Sequence, residues 1–277
     1  MGSPMARCLE QAGFSLCVFD TDIGQRSEFT CATESIEQLA HECSRFFTML
    51  PQAAEVTQVI QSITANLKHD NCLFVDCSTI DVASTRTLAI QLLSSGHHFV
   101  DAPVSGGREA AEKGALSFMI GGTAEAVHLA QPFLEVMGSK WVEFGEAGAG
   151  QAAKACHNMI CGITALGVCE AFALADALDL DPDKFFQLCR GAAAQSWILE
   201  NRCPVPGPAP DAPASNDYAP GFAARLMAKD LALAQQAADA SGQETEFGAL
   251  AAQRFNEFVE TADGDLDFSS IYRSIRK

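Results

Sequence analysis

The chain has 277 residues, 48% of them hydrophobic, enough for one large core or two ordinary ones. Its 35 acidic against 18 basic side chains give a formal net charge of −17, which speaks against nucleic acid or an anionic membrane as the main partner, because both demand basic surface. Eleven cysteines occur without a Cys-x-x-Cys pair and six histidines without zinc-ligand spacing, so free thiols in a reducing compartment are expected, and neither a disulfide framework nor a metal site.

In chain order, MGSPMA (1–6) reads as the start of a helix. The apolar runs LCVFD (16–20), RFFTML (45–50), CLFVDCST (72–79), HHFVDAP (97–103), SFMIGG (117–122) and KWVEFG (140–145) read as buried strands, with helical stretches over 51–67 and 82–94 between them. Strands alternating with helices predict a parallel, doubly wound sheet, and near-continuous apolar strands predict that both its faces are covered. No apolar run reaches the length of a membrane span, and no signal peptide is recognisable. After Gly145 the pattern becomes helical almost throughout, starting with an Ala-, Gly- and Cys-rich stretch that suits a closely packed helix. Asp181-Pro182 carries the signature of a helix start. The proline-rich segment 203–222 fits disorder and a packed surface loop about equally, and a helix pair follows it. The expected fold is an α/β Rossmann-like N-terminal domain over 1–146 and an all-α C-terminal domain over 147–277, with the site in the cleft between them.

Three stretches carry chemistry. An acidic residue after a strand, here Asp20, can bond the ribose hydroxyls of a dinucleotide, and Gly2 would be the last glycine of the preceding phosphate-binding turn, where it permits close helix–strand packing. In DAPVSGG (101–107), Ser105 offers a hydroxyl while Gly106 and Gly107 let backbone N–H groups approach an anion; a plain strand-to-helix turn is the competing reading. In GAGQAAKACHN (148–158), Lys154 and Asn158 are one helical turn apart, with His157 beside them. A lysine among small apolar residues is costly to bury without a partner or a task, and burial tunes a lysine for proton transfer near neutral pH. A lysine snorkelling to the surface is the alternative.

With these motifs in order, the chain resembles the β-hydroxyacid dehydrogenases, most of all the 3-hydroxyisobutyrate dehydrogenase subgroup. MGSPMA, TMLP (48–51), DCSTID (76–81), DAPVSGG with Ala111 and Gly114, GAGQAAK with Asn158, and MAKDLALA (227–234) carry the resemblance, and the PVPG…NDYAPGF loop matches that subgroup in particular. The resemblance implies an NAD-dependent oxidation of 3-hydroxyisobutyrate to methylmalonate semialdehyde in valine breakdown. It implies Lys154 as general acid/base, Asn158 holding substrate and lysine in register, and Ser105, Gly106 and Gly107 on the substrate carboxylate. Gly2, Leu50, Pro51, Thr79 and Lys229 are implied to contact the cofactor, and Asp20 to select NAD over NADP. It also implies a homodimer or homotetramer, in the mitochondrial matrix of a eukaryote or the cytoplasm of a bacterium.

Three departures qualify the resemblance. His157 stands where the subgroup has an asparagine, which bears on substrate choice and leaves tartronate semialdehyde as an alternative. Glu55 replaces a neutral polar cofactor contact. The family's first strand and the start of its glycine turn have no counterpart before Met1, so the chain is expected to be a fragment of a longer enzyme. A non-catalytic scaffold is the rival reading, against which stand Lys154, Asn158 and Lys229.

Overall fold

The computed structural model describes residues 1–261 and 264–276. The chain forms two compact units, Met1–Lys154 and Ala155–Lys277.

The first unit begins with the helices α1 (Gly2–Gln11), α2 (Ile23–Ser27) and α3 (Ile36–Glu42). Strands β1 (Arg45–Thr48), β2 (Leu73–Asp76) and β3 (His98–Asp101) then alternate with helices α4 (Ala53–Ala65) and α5 (Val82–Ser94). β4 (Val104–Ser105), α6 (Gly107–Glu112), β5 (Leu116–Gly122), α7 (Ala124–Met137) and β6 (Gly138–Gly145) complete it. The sheet order is β1-β2-β3-β5-β4, with β6 on β5.

Side chains alternate across β2 and β3 as the two-residue strand period requires. Leu73, Val75 and Val100 join Met5 and Leu9 of α1 and Leu134 and Met137 of α7 in one core cluster. Phe74 and Phe99 join Val56 and Ile60 of α4 and Leu88 and Leu92 of α5 in another. Both faces are therefore covered, as the apolar runs predict.

Three expectations fail here. The sheet is mixed: β1, β2 and β3 are parallel, but β5 runs antiparallel to β3 and β4. The link from β3 to β5 spends Val104–Ser105 on β4, which pairs with β5 itself, and has only the six-residue α6 for a crossover, about 9 Å of helix, too short to carry the chain back along the sheet for a parallel return. Residues 16–20 form no strand; Val18 makes a single bridge to Ala32. Asp20 Oδ1 accepts the Asp22 N–H at 2.8 Å and Asp22 caps α2, so extended chain stops there. The third is β6, a strand but not a buried one. Among the described residues it pairs only with β5, and it keeps Lys140, Glu143 and Phe144 exposed, the charged habit of a sheet edge.

The second unit holds most of α8 (Ala149–Ala177), then α9 (Pro182–Arg190), α10 (Trp197–Asn201), α11 (Ala224–Ser241), α12 (Glu246–Thr261) and α13 (Tyr272–Ile275). Its core contains Ala165, Cys169 and Phe172 of α8, Phe186 of α9, Leu199 of α10, Met227 and Leu231 of α11, Phe255 of α12, and Phe268. Asp181 caps α9 through the Lys184 N–H at 3.0 Å with Pro182 in the first turn, as its sequence signature predicts. The proline-rich loop is packed: Cys203, Ala209, Ala212, Ala214 and Tyr218 are buried and the Tyr218 hydroxyl donates to Pro204 O at 2.6 Å.

By length and composition α8 could cross a bilayer, its best window having a mean hydropathy of 1.6, which a search for unbroken apolar runs does not register. In this fold it supplies core to the second unit, its small residues allowing close approach. All eleven cysteines are free thiols, six of them buried. Burial pushes the Cys77 and Cys169 thiols far up, which keeps them protonated and inert.

Candidate active site

At the carboxyl ends of the parallel strands, polar groups with no water to turn to bind one another across the sheet. Thr48 donates its hydroxyl to Asp76 Oδ1 at 2.8 Å, and the Ser78 N–H reaches the same oxygen at 3.1 Å. The Leu50 N–H donates to Ser78 Oγ at 2.9 Å, which fixes the turn after β1 against the turn after β2. Gln151 then ties that turn to α8: its Nε2 donates to Ser78 O at 2.7 Å and its Oε1 accepts the Ile80 N–H at 3.3 Å.

The start of α8 is held by Asp101, the last residue of β3. Its carboxylate accepts the Gly148 N–H at 2.7 Å and the Gln151 N–H at 2.8 Å, meeting donors that a helix start leaves open. Burial pushes the Asp101 carboxyl up to about 6, against the pull of those two N–H groups and with a further push from Asp76.

One turn further along α8, Lys154 is buried, 6% exposed, and its Nζ donates to Val104 O at 2.9 Å. Val104 opens the β4–α6 segment, so the lysine head sits beside Ser105, Gly106 and Gly107. Gly106 and Gly107 take φ of +128° and +69°, and a Cβ at Gly106 would come within 2.6 Å of Ala110 Cβ. Only glycine serves there, and the turn presents its backbone rather than side chains.

In the second unit, Asn158 and Asp230 are buried and bonded to each other, Asn158 Nδ2 donating to Asp230 Oδ2 at 2.5 Å. With its amide nitrogen turned to the carboxylate, Asn158 presents Oδ1 to His157 Nδ1 at 2.8 Å, so that ring nitrogen carries the proton and donates. Lys229 Nζ lies 3.4 Å from Asp230 Oδ1.

Asp20 is exposed in its own turn, Pro51 is exposed, and Thr79 is half-buried beside Ser78. Gly2 opens α1, and a Cβ there would meet Met49 Cβ at 3.7 Å, an ordinary contact, so packing does not itself demand glycine. Glu55 lies in the first turn of α4 with Oε2 buried and without a hydrogen-bond partner among the described residues. Sequence reasoning assigned nothing to Asp76, Ser78, Asp101, Gln151 or Asp230. Their partners lie far away in the chain, and the only local signal was that all five fall inside the motifs that carry the resemblance.

Residues 1–145 match the NAD-binding domain of 6-phosphogluconate dehydrogenase, and residues 148–275 match the NAD-binding family of NADP-dependent 3-hydroxyisobutyrate dehydrogenase. A probable 3-hydroxyisobutyrate dehydrogenase of Mycobacterium tuberculosis is 38% identical over 281 residues, spanning 100% of this chain and 95% of the relative. The mitochondrial 3-hydroxyisobutyrate dehydrogenase of Homo sapiens is 36% identical over 283 residues, spanning 100% and 84%. A solved structure of the Mycobacterium tuberculosis 3-hydroxyisobutyrate dehydrogenase with L-serine superposes with a TM-score of 0.94 at 37% identity, covering 100% of this chain and 96% of that one. Fold and site thus define an NAD(P)-dependent oxidoreductase with a Rossmann-like N-terminal part and a helical C-terminal part. The chain belongs to the 3-hydroxyisobutyrate dehydrogenase family.

Proposed function

We propose that this chain oxidises 3-hydroxyisobutyrate to methylmalonate semialdehyde with NAD, in the breakdown of valine, and that Lys154 is its general acid/base. The observation that carries this reading is the buried Lys154 amino group, its Nζ 2.9 Å from Val104 O and next to the Ser105-Gly106-Gly107 turn. A 3-hydroxy acid presents a carboxylate and a hydroxyl a short distance apart. The Ser105 hydroxyl and the N–H groups of Gly106 and Gly107 take the carboxylate, which leaves the hydroxyl for Lys154. Lys154 removes the hydroxyl proton during oxidation and returns it during reduction. Asn158, its amide fixed by Asp230, keeps the hydroxyl and the lysine in register.

The residues present suit a dinucleotide. Asp20 offers an exposed carboxylate for the hydroxyls of an unphosphorylated ribose. Leu50, Pro51 and Thr79 follow the carboxyl ends of β1 and β2, Gly2 stands at the start of α1, and the family resemblance adds Lys229. The orphaned oxygen of Glu55 suits a hydroxyl donor and disfavours a phosphate. When bound, NAD accepts the hydride from the carbinol carbon of the substrate.

A second reading within the class has its own support, since the solved relative was determined with L-serine, itself a 3-hydroxy acid. His157, where the subgroup has asparagine, adds a polar ring beside Asn158 and keeps L-serine and tartronate semialdehyde in contention. Steady-state rates decide among them: oxidation of 3-hydroxyisobutyrate and of L-serine with NAD and with NADP, and reduction of tartronate semialdehyde with NADH and with NADPH. The expected result is the highest kcat/KM for 3-hydroxyisobutyrate with NAD. Lys154→Ala should lower kcat by about 10²- to 10⁴-fold while NAD binding stays within about twofold. Equal rates on all three substrates, or an active Lys154→Ala enzyme, would overturn the assignment.

The same reading gives a homodimer or homotetramer, supported by the apolar side chains that the helical unit exposes on α8 and α12, Ile160, Leu174, Phe247 and Leu250. It gives the mitochondrial matrix as the compartment in a eukaryote and the cytoplasm in a bacterium, in line with the human and mycobacterial relatives.

A further inference from the structure

The helical unit contains a cavity of about 500 Å³ whose lining includes none of the residues discussed for the active site. It is formed by the last turns of α8, the start of α9, the proline-rich loop and the C-terminal turns. Its size lies within the range of small-molecule sites, roughly 300–1,000 Å³. Phe172, Leu180, Val205 and Pro206 give it apolar walls.

Two guanidinium groups reach it, and they differ. Arg276 forks onto Asp176, with Nε and Nη2 at 2.9 and 3.3 Å from its two oxygens, so its charge is met within the wall. Arg273 has no carboxylate within ion-pair distance among the described residues. It lies over the ring of Tyr218, its Cζ 4.5 Å from the ring centroid, and the Tyr218 hydroxyl is anchored on Pro204 O. The Tyr218 side chain also forms a hydrogen bond with Arg273. With five N–H donors against one such acceptor, the guanidinium keeps N–H groups for a further partner. A carboxylate takes two such N–H groups side by side, which Lys could not offer.

In a chain of net charge −17, an arginine without a carboxylate partner at an apolar cavity selects for one kind of ligand. We propose that this cavity binds a small apolar monocarboxylate, its carboxylate on the edge of Arg273 and its hydrocarbon against Phe172, Leu180, Val205 and Pro206.

The test is calorimetric titration of the full chain with 3-phenylpropionate, set beside its neutral amide. The acid should bind at least about tenfold more tightly than the amide, and Arg273→Gln should weaken it by about tenfold or more. Leu180→Glu, a change at an exposed position that sets a negative charge at the mouth, should do the same. Both variants should keep the kcat/KM of the wild type. The substrate site also takes carboxylates, so the titration is repeated on Lys154→Ala, where cavity binding should stay within about twofold. The proposal falls if acid and amide bind alike, if Arg273→Gln binds as well as the wild type, if Lys154→Ala abolishes binding, or if no heat is seen up to about 10 mM acid.

Discussion

Asp101 shows how one buried carboxyl serves two demands. It caps α8 and so locates Gln151 and Lys154, yet its burial raises its proton affinity to about 6 from an ordinary 3.8. Between those two values the folded chain holds a proton that the unfolded chain has released. This group's contribution to stability is therefore fully present below about pH 4 and is lost as pH rises through 6, by about 3 kcal/mol in all. Asp101→Asn removes the titration at the cost of one of the two N–H acceptors. Urea unfolding of both proteins from pH 4 to 7 should show the wild type losing about 2 kcal/mol relative to the variant as pH rises. A constant difference would show that Asp101 is ordinary in its proton binding. Asp230 makes the related point in the second unit: a single carboxylate orients the Asn158 amide and receives Lys229. Lys154 and Asn158 could be chosen from sequence because one helical turn separates them. Asp230 could not, because the bond that gives it meaning joins positions 72 residues apart.

At the scale of the element, α8 is the part on which most depends, and its glycines divide cleanly. A Cβ at Gly150 would press on the carbonyl oxygens of Met119 and Asp101, both backbone atoms that cannot move aside. Gly167, two-thirds along the helix, is exposed with nothing within 4 Å of its Cβ position. Gly150→Ala should thus cost about 1–3 kcal/mol through overpacking, and Gly167→Ala should add about 0.5–1 kcal/mol through helix propensity. Thermal unfolding should move in opposite directions for the two variants; a shift of the same sign would break the argument. The strands tell a similar story of local and non-local control. Leu73 to Asp76 and His98 to Asp101 form strands because apolar, β-prone side chains are covered on both faces. LCVFD has the same composition and makes only one bridge, because strand character is realised only where a partner strand lies alongside.

For the whole molecule, charge and exposed apolar surface point to different partners. An excess of acidic groups disfavours nucleic acid, whereas Phe247 and Leu250, 73% and 54% exposed, leave apolar area uncovered on α12. A second copy covering that face would gain about 1.5–3 kcal/mol per large side chain. The double variant Phe247→Glu, Leu250→Glu should therefore shift the mass seen by light scattering toward the monomer while the far-UV circular dichroism is unchanged. An unaltered mass would show that this face plays no part in self-association.

The two-part architecture, the α9 start at Asp181-Pro182 and the Lys154–Asn158 face were all legible from sequence. Period and capping are short-range effects, written in residues a few positions apart. The antiparallel return of β5, the packing of the proline-rich loop, the Asp101 cap and the pairing of Arg273 with Tyr218 were decided by the tertiary structure alone. Each depends on which distant groups share a dehydrated space, and burial sets both the strength of such a contact and the proton affinity of the groups in it.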